Sequence, residues 1–256
     1  MPKFAANLGF LYDELPFLER FGAAARAGFR AVEFASPYEF GAGEVARAAA
    51  AAGVEVILFN LPMGDRAAGE FGMACIAGRE AEFRAGVADA LRYADALGTK
   101  RINCICGKTP PDADPGAVRA TLIANLRHAG EALGAAGITL MIEPLNTRDV
   151  PGIHLSGSQQ AADLVRDAGL ANMKIQYDCY HMQVMEGDLA ETMKRLLPLI
   201  GHVQFADSPG RHEPGTGEIS YPFLFGHLDR IGYDGWVAAE YRPSGATDDS
   251  LGWFHG

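Results

Sequence analysis

Four short segments in the second half of the chain, each at an apolar strand, carry a side chain with an oxygen that can bind a metal. The segments are Met141-Ile142-Glu143-Pro144, Ile175-Gln176-Tyr177-Asp178, Val203-Gln204-Phe205 and Ala238-Ala239-Glu240. If these ends meet, three carboxylates lie close together, and they repel one another strongly unless a cation neutralises them. Oxygen ligands that include an amide suit Mg²⁺ or Mn²⁺ better than Zn²⁺, which favours His and Cys. The pattern predicts a divalent metal site formed by Glu143, Asp178, Gln204 and Glu240.

Further polar residues stand at or near the ends of other apolar segments. They are Asn7, Glu33, Asn60 and Lys108. His181 follows Asp178 by three residues and can reach the same place from the next turn of chain. His212 lies in a loop rich in Gly and Pro with several charged groups, which is typical of a shaped binding loop. His202 lies inside an apolar segment, and we interpret it as structural.

The elements that must position these residues follow a regular alternation of short apolar segments and longer segments with helical periodicity. Eight candidate strands are Phe4–Leu8, Ala31–Phe34, Val54–Phe59, Ile102–Cys106, Thr139–Glu143, Lys174–Asp178, His202–Ala206 and Trp236–Glu240. Eight strand-helix units in about 250 residues are typical of a closed (β/α)8 TIM barrel. An open doubly wound sheet usually carries a glycine fingerprint after its first strand, and this chain has none there. We therefore predict an α/β fold with one TIM-barrel domain over residues 1–256.

The helices between the strands can be predicted from periodicity and from the glycines that follow them. Clear candidates are Ala81–Leu97, Val118–Ala135, Gln159–Ala168 and Leu189–Leu197. Gly98, Gly137 and Gly169 stand where a left-handed cap would end a helix. Two long loops, Leu61–Gly78 and Asp207–Tyr221, follow the third and seventh strands. Loops on this side of a barrel are where its enzymes build their active sites.

Composition excludes several classes of function. The chain has 256 residues and a net charge of −10, which argues against nucleic-acid binding because that binding depends on Lys and Arg. Its four cysteines are too few for a disulfide framework. The sequence shows neither a signal peptide nor a long apolar run. We expect a cytoplasmic protein with no membrane or nucleic-acid partner, and the sequence leaves open whether it forms a homo-oligomer.

Longer motifs resemble one known family. They are Asn60-Leu61-Pro62, Ile142-Glu143-Pro144-Leu145-Asn146, Gln176-Tyr177-Asp178, Tyr180-His181-Met182-Gln183, Met185-Glu186-Gly187, the segment from Arg211 to Glu218, Gly235-Trp236 and Glu240-Tyr241. Together they resemble the hydroxypyruvate isomerase family, within the sugar isomerase and apurinic endonuclease group of TIM barrels. The resemblance runs from Phe4 to about Pro243, beyond which the chain is shorter than a usual final helix.

The resemblance implies a reaction and a role for each site residue. Glu143, Asp178, Gln204 and Glu240 would hold Mg²⁺ or Mn²⁺, and Glu143 and Glu240 would also transfer protons. The substrate would be a small hydroxy-oxo acid, with hydroxypyruvate converted to tartronate semialdehyde. His181 would hydrogen-bond a substrate oxygen, and the candidates for binding the substrate carboxylate are Arg211, His212 and Lys108.

Three alternatives remain open at this point. Similar enzymes isomerise 2-oxo-tetronate acids, and a neutral-ketose 3-epimerase has the same kind of barrel. A metal-dependent endonuclease would need several His ligands and a basic groove, which the 7 His residues and the acidic charge of this chain do not favour. One loop departs from the family pattern, which has an aromatic residue at position 66 and a guanidinium at position 71. This chain has Arg66 and Phe71 there.

Overall fold

Eight parallel strands form a closed barrel in sequence order. A computed structural model describes residues 2–255. The strands are β1 (Lys3–Asn7), β2 (Ala31–Phe34), β3 (Glu55–Asn60), β4 (Arg101–Cys104), β5 (Thr139–Ile142), β6 (Met173–Asp178), β7 (Ile200–Phe205) and β8 (Trp236–Ala239). Each strand pairs with the next, and β8 pairs with β1 to close the ring. The predicted (β/α)8 TIM barrel is confirmed.

Helices lie between the strands and cover the barrel. They are α1 (Phe17–Arg26), α2 (Ala42–Ala52), α3 (Glu80–Leu97), α4 (Pro115–Ala135), α5 (Ser158–Ala168), α6 (Cys179–Met185), α7 (Leu189–Leu196), α8 (Tyr221–Ile231) and α9 (Gly252–His255). In residues 2–255, no helix is long and apolar enough to cross a membrane.

Local sequence explains where the helices begin and end. The Asp114 carboxylate accepts a hydrogen bond from the Ala117 N–H at 2.8 Å, and Pro115 occupies the first helical position of α4. Gly98 and Gly169 have the left-handed conformation that was predicted for them and end α3 and α5.

The end of the chain closes the barrel on its outside with aromatic packing. In the described residues after β8, a 3-10 turn at Asp248–Ser250 precedes the four-residue α9. The Trp253 ring packs edge-on against Phe4 of β1 and Phe205 of β7, with centroid distances of 5.1 and 4.9 Å. Phe254 stacks on Phe29 at 4.4 Å. These contacts attach the segment after β8 to the outside of the barrel beside β1 and β7.

Candidate active site

Three carboxylates and one imidazole converge at the carboxyl end of the barrel. Glu143 follows β5, Asp178 ends β6, His181 lies in α6 and Glu240 follows β8. One ligand atom from each lies within 4.8 Å of the others. Among the described residues, no other group of three or more His, Cys, Asp or Glu side chains has this arrangement. The predicted meeting of the acidic strand ends therefore occurs.

Arg211 places a cation among these carboxylates. Its Nη2 pairs with Oε2 of Glu240 and lies 3.5 Å from Oδ2 of Asp178. The guanidinium also lies over the rings of Phe10 and Tyr180, at 4.6 and 5.1 Å from their centroids. A cation held between aromatic faces and two carboxylates shows that this space attracts positive charge.

Burial and mutual repulsion change the pKa values of the cluster. Burial, followed by repulsion from Glu240 and Asp178, raises the pKa of Glu143 well above its ordinary value. Burial also raises the pKa of Asp178, and it raises that of Glu240 to about 8 although Arg211 opposes the shift. Burial and the nearby Arg211 charge lower the pKa of His181 well below its ordinary value. Burial thus disfavours the ionised form of all three acids, whereas the Arg211 cation favours it.

Three amide side chains donate hydrogen bonds to two of the acids, and of the three only Asn7 was among the polar strand ends that the sequence indicated. Asn7 Nδ2 donates to Oε1 of Glu240 at 2.8 Å. Asn103 Nδ2 and Gln176 Nε2 donate to Oε2 of Glu143 at 2.9 and 2.8 Å. The position of Gln176, two residues before Asp178 on one strand, indicated that both side chains share a face. Nothing in the sequence indicated Asn103, which lies inside an apolar segment.

Gln204, the fourth predicted ligand, lies beside the acidic cluster. Its Oε1 accepts a hydrogen bond from Gln176 Nε2 at 2.7 Å, and the same nitrogen donates to Glu143. Its Nε2 donates to Oε1 of Glu33 at 2.6 Å. Nε2 of Gln176 thus bridges the Gln204 oxygen and Glu143, which is itself a predicted metal ligand. Gln204 therefore remains a candidate metal ligand on the Glu143 side of the site.

The hydrogen bonds of His181 define which of its nitrogens carries the proton. The backbone N–H of Asn146 donates to Nδ1 of His181 at 3.1 Å, and Asn146 Nδ2 lies 2.7 Å from the same atom. Since a backbone N–H can only donate, Nδ1 must be an acceptor and the ring proton is on Nε2. Nε2 lies 3.5 Å from Oδ2 of Asp178. In this tautomer Nε2 is a hydrogen-bond donor and has no lone pair for a metal, which agrees with the predicted substrate contact.

The loop after β7 holds Arg211 in place around one buried acid. Asp207 accepts hydrogen bonds from the N–H groups of Ser208, Gly215 and Ile219 at 2.9 to 3.0 Å. Its carbonyl accepts the Arg211 N–H at 3.0 Å, and Arg211 itself has φ of 59°. The Arg211 side chain is therefore directed into the site by a loop with a defined shape.

The other two predicted substrate-binding residues bond to backbone carbonyls. Lys108 Nζ donates to the carbonyl of Gly69 at 2.8 Å, in the loop after β3. His212 Nδ1 lies 2.8 Å from the carbonyl of Arg242. The structure thus brings Arg211 and His181 into the acidic cluster, whereas the polar contacts of Lys108 and His212 are with neighbouring loops.

The loop that departs from the family pattern keeps an aromatic-guanidinium pair. The Arg66 guanidinium lies over the Phe71 ring, 3.9 Å from its centroid. Exchanging the two residue types between these positions therefore preserves the stacking, because either order places a cation on a ring. Phe71 also packs against the apolar cluster that contains Ile105 and Leu145.

The donor set fits a hard divalent cation. Three carboxylates supply oxygen ligands, an amide oxygen lies next to them, and the Arg211 guanidinium already occupies the position of a counter-charge. Such oxygen-rich sets suit Mg²⁺ and Mn²⁺. The raised pKa values of the acids have the same origin, because three buried negative charges require compensation.

Comparison with known proteins places the chain in a family. A family model described as xylose isomerase-like TIM barrel matches residues 21–255. The chain belongs to this family. Hydroxypyruvate isomerase from Escherichia coli (strain K12) is 52% identical over 253 residues, which cover 99% of this chain and 98% of that protein. A 2-oxo-tetronate isomerase from Cupriavidus necator is 49% identical, with 99% and 97% covered. The resemblance to the hydroxypyruvate isomerase family is confirmed, and isomerase function on this fold is supported.

Solved structures agree on the fold and differ in what they are called. A crystal structure described as AP endonuclease, family 2, from Brucella melitensis is 46% identical, has a TM-score of 0.98 and is covered to 98% by the whole of this chain. An L-ribulose 3-epimerase is 25% identical with a TM-score of 0.78, and the match covers 98% of this chain and 85% of that one. Both have the barrel described above.

Proposed function

We propose that this protein is a divalent-metal-dependent isomerase that interconverts hydroxypyruvate and tartronate semialdehyde (2-hydroxy-3-oxopropanoate). The observation that carries the proposal is the buried cluster in which Glu143 and Glu240 lie with Asp178, their ligand atoms within 4.8 Å of one another. Such a cluster combines a cation site with two groups that can take up and return protons. The relative that is 52% identical supports the choice of substrate.

Glu143, Asp178, Gln204 and Glu240 would hold the cation, Mg²⁺ or Mn²⁺. When bound, the ion acts as a Lewis acid that polarises the substrate carbonyl. The neutral His181 tautomer supports this assignment because its Nε2 carries a proton and so leaves the oxygen donors as the ligand set.

The two glutamates transfer the protons that the isomerisation requires. One carboxylate removes a proton from C3 of hydroxypyruvate, and the electron pair forms the double bond of an enediol. The C3 hydroxyl then becomes the new carbonyl and gives its proton to the former C2 carbonyl oxygen, which remains as a hydroxyl. C2 receives a proton from the second carboxyl group, so one glutamate ends protonated and the other ionised, and exchange with water resets both. Each positioned acid or base contributes about 10²–10⁴-fold to such a step.

Two further side chains orient the substrate. His181 presents its Nε2 proton toward the centre of the cluster and donates to a substrate oxygen on which negative charge develops. Arg211, whose guanidinium reaches the same carboxylates, binds the substrate carboxylate. Lys108 and His212 take part only if they exchange their carbonyl partners for substrate.

A panel of substrates tests the proposal. Purified protein with Mn²⁺ is assayed on hydroxypyruvate, 2-oxo-tetronates and free ketoses, before and after chelation. We expect the highest kcat/KM on hydroxypyruvate and loss of activity with chelator. A higher kcat/KM on the four-carbon acids would favour 2-oxo-tetronate isomerase, which the relative at 49% identity makes the second candidate. A preference for neutral ketoses would indicate a 3-epimerase and would contradict the proposal that Arg211 binds a substrate carboxylate.

The relative described as an AP endonuclease calls for a separate test. The cluster contains one histidine and the net charge is −10, so we expect neither cleavage of abasic DNA nor binding that weakens steeply with salt. Specific cleavage that disappears in Asp178→Ala would overturn the isomerase proposal in favour of a nuclease.

A further inference from the structure

Glu33 is a buried acid that the proposed reaction does not use. It lies on β2, is fully buried, and is contacted by side chains from β1 and β7. Its Oε1 accepts hydrogen bonds from Asn7 Nδ2 at 2.9 Å and Gln204 Nε2 at 2.6 Å. Its Oε2 lies 2.6 Å from Nε2 of His202. With no exposed surface, Glu33 cannot touch a substrate, so any role it has must act through these partners.

The bond from Gln204 to Glu33 determines which way the Gln204 amide faces. With Nε2 committed to Glu33, Oε1 faces Gln176, whose nitrogen also donates to Glu143. The reversed amide would place its oxygen against a carboxylate oxygen and its N–H against another N–H. Both contacts are unfavourable, so the orientation depends on an acceptor at position 33.

A second path leads from Glu33 to Glu240 through Asn7. The Gly9 N–H donates to Oδ1 of Asn7 at 2.9 Å, which turns Nδ2 of Asn7 toward the two acids. That nitrogen donates to Glu33 at 2.9 Å and to Glu240 at 2.8 Å. One side chain thus uses its two protons to hold both carboxylates.

We propose that Glu33 is a positioning residue that keeps the Gln204 amide oxygen turned toward the Glu143 side of the site, where it can serve a cation, and steadies Glu240 through Asn7. The inference rests on the proposed function, since it assumes that Gln204 is a ligand. Residues that orient a metal ligand are commonly worth about 10–100-fold in metal affinity.

Two conservative variants separate orientation from charge. Glu33→Asp keeps the negative charge but withdraws the acceptor from Gln204. Glu33→Gln loses the charge but can keep an acceptor oxygen for Asn7 and Gln204, because its amide nitrogen can face His202. Among residues 2–255, Nδ1 of His202 has no hydrogen-bond partner. The ring proton can therefore move to Nδ1 and leave Nε2 as the acceptor for the new amide. If Glu33 acts by orienting the Gln204 amide, Glu33→Asp should weaken Mn²⁺ binding more than Glu33→Gln does.

The measurement is Mn²⁺ binding to chelator-treated protein by calorimetry, with thermal melting as the check of folding. We expect Glu33→Asp to weaken binding about tenfold or more and Glu33→Gln to weaken it less. In a Gln204→Ala background, Glu33→Asp should cost clearly less Mn²⁺ affinity than it does in the wild type, because the amide that Glu33 orients is gone and only the path through Asn7 remains. Equal losses in both backgrounds, or a larger loss in Glu33→Gln, would overturn the proposal.

Two control variants distinguish this inference from the proposed function. If Asp178→Ala binds Mn²⁺ as tightly as the wild type, the metal site itself is wrong. If Asp178→Ala loses the ion while Gln204→Ala keeps full affinity, Gln204 is not a ligand and only the Glu33 inference fails.

Discussion

Glu143 and Glu240 each combine two functions at the scale of a single residue. Both would offer an oxygen to a cation and a site for a proton, and burial raises the pKa of each. We expect Glu143→Gln or Glu240→Gln to lower kcat by several orders of magnitude with Mn²⁺ binding largely kept, because the amide retains an oxygen but not a base. Deuterium exchange into recovered substrate checks the roles. Only one variant should still exchange, and equal exchange in both would contradict separate roles for the two glutamates.

His181 is fixed as a neutral donor by the Asn146 N–H. His181→Ala should lower kcat by about 10²–10³-fold, as the loss of one donor to a developing oxyanion does in comparable sites. His212→Ala is the matched control, since the polar contact of that ring is with the Arg242 carbonyl. Steady-state kinetics measure both variants. Similar losses in the two would mean that His181 has no special role.

The raised pKa of Glu240 gives metal binding a pH dependence of defined sign. With a pKa of about 8, the carboxyl group is mostly protonated at pH 7 and must release its proton to accept a cation. Mn²⁺ affinity should therefore rise between pH 6 and pH 8, by at most about tenfold per unit for each proton released. Calorimetry in buffers with different ionisation enthalpies counts the protons. In Glu240→Gln, the logarithm of Mn²⁺ affinity should rise less steeply with pH. An unchanged slope would mean that the proton released on metal binding comes from another group.

At the scale of elements, the sequence predicted the barrel because eight short apolar segments alternate with longer segments of helical periodicity. The predicted starts of β2 and β5 match the structure, and the acids at strand ends come together because parallel strands in a closed ring end at one face. Glu186, from one family motif, accepts hydrogen bonds from the N–H and hydroxyl of Ser158 at the start of α5. That motif residue thus stabilises a helix end.

The sequence could not predict contacts that depend on side-chain reach across the barrel. Asn7, Asn103 and Gln176 act as bridges only because their amides meet acids from other strands. Such contacts depend on the register and closure of the barrel, and neither is encoded in a local pattern. The partners of Lys108 and His212 could not be predicted for a related reason. They are backbone carbonyls in loops that fold back toward these residues, and every residue type carries such a carbonyl.

The loop after β7 gives a prediction that concerns an element. Asp207→Asn replaces an acceptor oxygen by a donor where N–H groups of Ser208, Gly215 and Ile219 converge. An unsatisfied buried donor costs about 1–3 kcal/mol, so the melting temperature should fall, and KM should rise because Arg211 loses its fixed position. Thr216→Ala, at an exposed position of the same loop, is the control. An unchanged KM in Asp207→Asn would mean that the shape of this loop does not affect substrate binding.

At the scale of the whole molecule, the fold gathers three carboxylates of an acidic chain at the carboxyl end of the barrel. The chain carries a net charge of −10, yet the cluster at the barrel mouth draws in Arg211 as a local cation. Charge distribution of this kind fits a protein that collects a divalent ion and a small anion at one point. We do not expect a chain with this net charge to bind a polyanion, because such binding depends on Lys and Arg.

Barrel closure also determines the order in which the chain can fold. β1 is complete early in synthesis but pairs with β8, and the bond between Asn7 and Glu240 joins residues 233 positions apart. Trp253, which packs on Phe4 and Phe205, is added later still. Closing the ring brings together the two ends of the chain, which costs loop-closure entropy. We expect closure to follow the rate-limiting step, so that losing its contacts affects unfolding more than folding. Trp253→Ala should accelerate unfolding in denaturant and leave the refolding rate nearly unchanged. Slower refolding in stopped-flow measurements would place closure in the folding nucleus.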